Sequence, residues 1–132
     1  MGNASHNKIL IIEDAKVERM LLKTMFEQRD FDVTFCVDGQ EAWNWINEND
    51  PPGLVVLDLT LPNIDGFELI DHIRSKVAWK QTPVLVTSAH KDRNTVVAAI
   101  TRGASGYIAK PFDVARLLSE VNKLLKIETT EE

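Results

Sequence analysis

Five polar residues stand at or just past the ends of apolar runs in the sequence. They are three acids, a hydroxyl and an ammonium: Glu13, Asp14, Asp58, Ser88 and Lys110. Three neighbouring carboxylates repel one another unless positive charge joins them. Lys110 supplies one positive charge. An all-oxygen ligand set favours Mg²⁺ (or Mn²⁺) as the source of the remaining positive charge. A cation and an ammonium that neutralise phosphate oxygens, beside a carboxylate nucleophile, suit phosphoryl transfer.

The hydrophobic pattern predicts five strand–helix units that would position these residues. Short apolar runs are typical of strands buried in a parallel sheet, and each is followed by residues with helical spacing. The predicted strands are residues 9–12, 32–37, 54–57, 83–89 and 105–109. Alternating strands and helices indicate an α/β fold with a parallel sheet and helices on both faces. Because the carboxyl ends of parallel strands share one edge, we expect the five polar residues to meet there.

Helix signals accompany each strand. Asp14 is expected to cap the first helix, which runs to about residue 28. Asp65 and Glu68 resemble a capping box at the start of the third helix. Trp45 falls outside the apolar stripe of its helix and is expected to be exposed, and Trp79 is expected in a loop. The apolar stripe of the first helix is expected to comprise Val17, Met20, Leu21, Thr24 and Met25.

Composition excludes several classes of protein. The formal charge of −5 argues against a nucleic-acid groove or an anionic membrane surface as partner. The single cysteine, Cys36, excludes an internal disulfide and predicts a reducing, cytoplasmic setting. His6, His72 and His90 are scattered, so a zinc site is not expected. Neither GxxxxGK[ST] nor GxGxxG occurs, so the chain does not look built to bind a nucleotide.

The five polar residues lie within longer motifs that are similar to those of one family. Over about residues 8–126 the chain resembles the receiver domain of two-component response regulators. The motifs are Glu13-Asp14, Val55-Val56-Leu57-Asp58-Leu59-Thr60-Leu61-Pro62-Asn63-Ile64-Asp65-Gly66, Val86-Thr87-Ser88-Ala89 and Tyr107-Ile108-Ala109-Lys110-Pro111. Each is weak alone, but together they are specific. The family places its hydroxyl 30 positions after the aspartate, which selects Ser88 over Thr87.

The resemblance implies a flavodoxin-like doubly wound sheet of order 2-1-3-4-5 and a function in phosphorelay. By it, Asp58 accepts a phosphoryl group from a phosphohistidine on a sensor histidine kinase or histidine phosphotransfer protein. Mg²⁺ would be held by Glu13, Asp14, Asp58 and the backbone carbonyl of Thr60. Ser88 and Lys110 would bind the phosphoryl oxygens, and the Lys110-Pro111 bond would be cis.

The resemblance also implies an output mechanism. Tyr107 is the expected switch aromatic, turning inward when Ser88 moves toward the phosphoryl group. The output surface would comprise the fourth helix, fifth strand and fifth helix. Thr60 and His90 flank the site at positions that tune the lifetime of the acyl phosphate. The chain is not expected to be an enzyme, because it would catalyse only its own phosphoryl transfer and autodephosphorylation.

Other functions remain open at this point. A pseudo-receiver scaffold predicts a damaged acidic pair or a missing lysine, and neither is seen. A phosphohydrolase with an aspartyl nucleophile needs a second acid two residues on, where this chain has Thr60. A flavin or nucleotide carrier on the same fold would show in an absorbance scan. We expect a lead at residues 1–7, a receiver domain at 8–127 and a polar tail at 128–132, which either ends the protein or links to an output domain.

Overall fold

Five strands alternate with five helices in the computed structural model, which describes residues 7–126. The elements are β1 (Lys8–Ile12), α1 (Lys16–Glu27), β2 (Asp32–Cys36), α2 (Gly39–Glu48), β3 (Leu54–Asp58), α3 (Gly66–Ser75), β4 (Val84–Ser88), α4 (Arg93–Arg102), β5 (Gly106–Ala109) and α5 (Val114–Leu125). A 3₁₀ turn at Val77–Trp79 follows α3. Residues 1–6 of the predicted lead and the predicted tail at 128–132 lie outside the described residues.

The strands form one parallel sheet in the order β2-β1-β3-β4-β5, which confirms the predicted flavodoxin-like fold. Strand β3, which is buried throughout and apolar except for its last residue, Asp58, lies at the centre, and β2, with its alternating sequence, lies at an edge. Near the carboxyl ends, Asp58 of β3 is in register with Thr87 of β4, and Ser88 is in register with Ala109 of β5. This register places the predicted site residues at one edge of the sheet.

Strand alternation divides the core into two layers. One face of the sheet packs against α1 and α5 through residues that include Ile9, Ile11, Val56, Leu85 and Ile108. The opposite face packs against α2, α3 and α4 through residues that include Leu10, Ile12, Leu57, Val84 and Val86. Helices therefore cover both faces of the sheet, because strands that are apolar on both faces must be shielded from water on both.

Aspartates fix the starts of four helices at the loops that follow the strands. The side chains of Asp38, Asp65 and Asp92 each accept a hydrogen bond from the backbone N–H three residues on, and Asp113 from the one two residues on. At α3 the predicted capping box is confirmed, because Glu68 also accepts from the N–H of Asp65. These caps satisfy backbone N–H groups that the first helical turn leaves free.

Two predictions about α1 are wrong. The helix begins after Ala15 without a side-chain cap, and Asp14 instead lies exposed at the sheet edge. The buried residues are Leu22, Met25 and Phe26, whereas Val17, Met20 and Leu21 are exposed. Met25 is buried as predicted, but its buried neighbours are Leu22 and Phe26 rather than Leu21 and Thr24, so the face that meets the sheet is rotated from the predicted stripe. Periodicity indicates a stripe but does not fix which of two neighbouring faces meets the sheet.

The predicted exposure of Trp45 is wrong, and Trp79, although it lies in the connection between α3 and β4 as predicted, is buried. Trp79 is 1% exposed in the 3₁₀ turn, and its ring meets that of Trp45 edge-to-face with centroids 6.2 Å apart. Trp45 is therefore half-buried rather than exposed. Arg74 of α3 links this turn to neighbouring segments, because its guanidinium donates hydrogen bonds to the carbonyls of Gly103, Thr82 and Trp79 at 2.8–3.1 Å. A contact between α2 and a turn 34 residues later leaves no pattern in either segment alone.

Candidate functional site

Three carboxylates converge where β1 and β3 end. Glu13 follows β1, and Asp58 is the last residue of β3. One ligand oxygen from each of Glu13, Asp14 and Asp58 can be chosen so that all lie within 4.8 Å of one another. Glu13 and Asp58 are buried, whereas Asp14 is exposed. The sheet edge thus gathers acids that are up to 45 residues apart in the sequence.

Lys110, which follows the edge strand β5, contacts two of these acids. Its Nζ lies 2.9 Å from Glu13 Oε1 and 3.4 Å from Asp58 Oδ2. The Lys110 backbone N–H donates to the Ser88 carbonyl at 2.7 Å, and the Lys110–Pro111 peptide bond is cis, as the family resemblance implied. The lysine therefore stands one residue past β5, with its ammonium directed at the acids.

The charges in this cluster do not balance. Burial raises the pKa of Glu13 to about 7; the Lys110 hydrogen bond opposes that rise, and the Asp58 charge adds to it. Burial lowers the pKa of Lys110, but its contacts with Glu13 and Asp58 together raise it by more, so the net pKa is above its ordinary value. A buried excess of negative charge is stabilised by any cation that can reach it.

The donor set fits a hard divalent cation. Carboxylate oxygens within 4.8 Å of one another are the ligands that Mg²⁺ and Mn²⁺ prefer. The backbone N–H of Thr60 donates to Asp58 Oδ1 at 3.1 Å, so the Thr60 backbone lies beside the same carboxylate. The Asp58 side chain is 7% exposed, which leaves a narrow opening to solvent.

Ser88 and Tyr107 both form side-chain hydrogen bonds with the backbone of His90. Ser88 is fully buried on the α2–α3–α4 face, and its Oγ accepts a hydrogen bond from the His90 N–H at 3.0 Å. Tyr107, half-buried, donates its hydroxyl to the His90 carbonyl at 2.7 Å. Both predicted switch residues are therefore linked to the backbone of His90, a link that sequence reasoning missed because it uses no side-chain atom of His90.

Two further residues support the acidic loops and were also missed. The guanidinium of Arg19 donates to the carbonyls of Glu13 and Asp14 at 3.1 and 2.9 Å, which fixes the turn after β1. A Cβ added at Gly39 would lie 1.8 Å from the Ile64 carbonyl oxygen, so the loop after β3 rests directly on this glycine. Only the spacing of Arg19 on the first helix could have indicated its role.

Comparison with known proteins identifies the family. The profile described as "Response regulator receiver domain" matches residues 9–122. The chain belongs to the response regulator receiver domain family. Among curated relatives, "Response regulator ArlR" of Staphylococcus saprophyticus is 34% identical over 119 residues, which are 90% of this chain and 52% of that protein. This receiver domain spans about half the length of the curated relatives it matches.

Solved structures agree with the fold. A putative response regulator from Chloroflexus aurantiacus superposes with a TM-score of 0.85 at 29% identity, covering 91% of this chain and 98% of the other. The receiver domain of the Pseudomonas aeruginosa sensor kinase PA1611 gives a TM-score of 0.82 at 23% identity, covering 91% and 98%, and its structure has magnesium coordinated in the active-site cleft. In this receiver domain, no helix within residues 7–126 has the length and apolar character needed to cross a bilayer.

Proposed function

We propose that this receiver domain is a phosphoacceptor switch in which Asp58 takes a phosphoryl group from a phosphohistidine. The donor would be a sensor histidine kinase or a histidine phosphotransfer protein. The observation that carries the proposal is the position of the Asp58 carboxylate, within 4.8 Å of the acidic pair and 3.4 Å from the Lys110 ammonium. A carboxylate in this setting is accessible through a narrow opening and adjacent to an ammonium that can bind phosphate oxygens.

The transfer itself needs only one new bond. An Asp58 carboxylate oxygen attacks phosphorus, the P–N bond breaks, and the imidazole of the donor leaves with the electron pair. Glu13, Asp14, Asp58 and the Thr60 carbonyl would hold Mg²⁺ (or Mn²⁺), which when bound neutralises charge on the phosphoryl oxygens. Lys110, now paired with Glu13, would exchange that contact for a phosphoryl oxygen, and Ser88 would donate to another.

The same exchange would carry the signal to the surface. The Ser88 hydroxyl accepts from His90 before transfer, and Tyr107 donates to the same residue. Movement of Ser88 toward a phosphoryl group would break the first bond and release Tyr107 to turn inward. The α4–β5–α5 surface would then bind an output partner or an output domain. Residues 8–127 would form the switch, with 128–132 as a linker or end, in a cytoplasmic protein.

Incubation with acetyl phosphate and Mg²⁺, followed by intact-mass measurement, tests the proposal. We expect the mass to rise by one phosphate in the wild type and not in Asp58→Asn. Asp65→Asn is a matched control, because it removes an acid from the same loop while keeping a residue that caps α3. A mass gain that persists in Asp58→Asn, or no gain in the folded wild type, contradicts the proposal and would favour a scaffold function without phosphorylation.

The lifetime of the phosphoryl group is expected to depend on the two exposed residues that flank the site, Thr60 and His90. Thr60 lies two residues after Asp58, where a phosphohydrolase would need an acid, so hydrolysis would be slow but not abolished. Decay of the phosphorylated mass in Thr60→Ala and in His90→Ala measures this. Unchanged rates in both variants would contradict the assignment.

A further inference from the structure

A buried hydroxyl next to the candidate site has no hydrogen-bond partner. Thr87 is 1% exposed, and its Oγ1 makes no hydrogen bond with any protein group within residues 7–126. It is the one fully buried side-chain N or O atom in this part of the chain for which that holds. Buried polar atoms are almost always paired, so an unpaired one needs an explanation.

The sheet places this hydroxyl beside Asp58. Thr87 is the register partner of Asp58 on the neighbouring strand, and strands lie about 4.8 Å apart. Strand alternation puts Thr87 on the α1–α5 face, with Leu85 and Ile108, whereas Ser88 lies on the opposite face. Ser88 is also already engaged by His90. The uncommitted hydroxyl is therefore the one that shares a face with the acid.

We propose that Thr87 donates a hydrogen bond to the carboxyl group of phosphorylated Asp58 and speeds its hydrolysis. The inference rests on the proposed function. At present Asp58 Oδ1 accepts from the Thr60 N–H, and Oδ2 lies 3.4 Å from Lys110 Nζ. Once one carboxylate oxygen of Asp58 carries the phosphoryl group and Lys110 binds a phosphoryl oxygen, the Lys110 ammonium no longer contacts the Asp58 carboxyl group. A rotation of the Thr87 side chain about its Cα–Cβ bond would bring its hydroxyl to the carboxyl group as a donor in place of Lys110.

The chemistry explains the direction of the effect. In hydrolysis water attacks phosphorus, the P–O bond to Asp58 breaks, and its electron pair stays on the carboxylate. Both protons of the water leave with inorganic phosphate as dihydrogen phosphate. Negative charge therefore develops on the Asp58 carboxyl group in the transition state, and a donor there stabilises it. If Thr87 only filled space in the core, its hydroxyl would have no influence on this rate.

Valine has the shape of threonine without the hydroxyl, so Thr87→Val isolates the donor. Wild type and variants are phosphorylated with acetyl phosphate and Mg²⁺, the reagent is removed, and the loss of one phosphate is followed by intact mass. We expect decay about tenfold slower in Thr87→Val, equivalent to about 1.4 kcal/mol of transition-state stabilisation. Thr87→Ser keeps the hydroxyl and is expected to decay within about twofold of wild type.

Thr82→Val is the matched control, because Thr82 is also buried but lies just before the opposite end of β4. Its decay is expected to equal that of wild type. Should Thr87→Val fail to fold by circular dichroism, Thr87→Ala removes the same hydroxyl and carries the same expectation. A variant without the hydroxyl that accepts phosphate and decays at the wild-type rate overturns the role of Thr87 alone. A wild type that never gains phosphate overturns the proposed function instead.

Discussion

Neutralising Glu13 is expected to stabilise the protein in the absence of metal, although it removes half of an ion pair. Burial raises the pKa of this carboxyl from 4.5 to about 7. The folded state therefore retains a proton that the unfolded chain has released, and stability falls as pH rises from about 4.5 to 7. At 1.36 kcal/mol per pKa unit, the loss is about 3 kcal/mol.

Glu13→Gln removes this titration. The Ala15 N–H and Lys110 now contact different carboxylate oxygens, at 3.1 and 2.9 Å, and the single carbonyl oxygen of glutamine can accept from only one of them. We expect the variant to exceed the wild type by up to about 3 kcal/mol above pH 7 and to match it near pH 4.5. Added Mg²⁺ is expected to stabilise the wild type more than the variant, because the variant lacks one anionic ligand.

Urea unfolding in EDTA from pH 4.5 to 8.5, followed by tryptophan fluorescence, measures both stabilities. Glu48→Gln, which changes an exposed acid on α2, controls for net charge. A Glu13→Gln protein that is less stable than the wild type at pH 8 would refute the reasoning. It would mean that the contact with Lys110 outweighs the cost of burying the carboxylate.

Three substitutions test the packing around the site and the opposite end. Gly39→Ala is expected to cost about 1–3 kcal/mol in the free energy of unfolding, because the new Cβ collides with the Ile64 carbonyl, as urea titration would measure. Arg74→Met is expected to cost about 2 kcal/mol or more, since it strips charged donors from several carbonyls. Trp79→Ala is expected to cost about 3–5 kcal/mol. Val77→Ala, at an exposed side chain two residues before, is expected to stay within about 0.5 kcal/mol of wild type.

The fold and the members of the acidic cluster could be predicted because their signals are local. Apolar runs mark the strands, and parallel strands carry Asp58 and Lys110 to a common edge whatever lies between them. The capping box at Asp65 and Glu68 was predictable for the same reason, since its two residues are only three positions apart.

What the sequence could not show depends on contacts between distant segments. Burial of Trp79 requires the packing of a turn against α2, and the choice of buried face on α1 requires the packing of that helix against the sheet. The links from Ser88 and Tyr107 to His90 use the backbone of a loop residue, which no side-chain pattern reports. The unpaired hydroxyl of Thr87 is visible only once every neighbour has been placed.

Arg74 also makes the two ends of the sheet unequal. One guanidinium joins α3 to the segments that enter β4 and β5, far from the acids. Backbone amides at that end are therefore expected to exchange with deuterium only through large openings, whereas the loops after β3 and β4 can open singly. We therefore expect rearrangements of this molecule to move the loops at the carboxyl ends of the strands, while the opposite end of the sheet stays fixed.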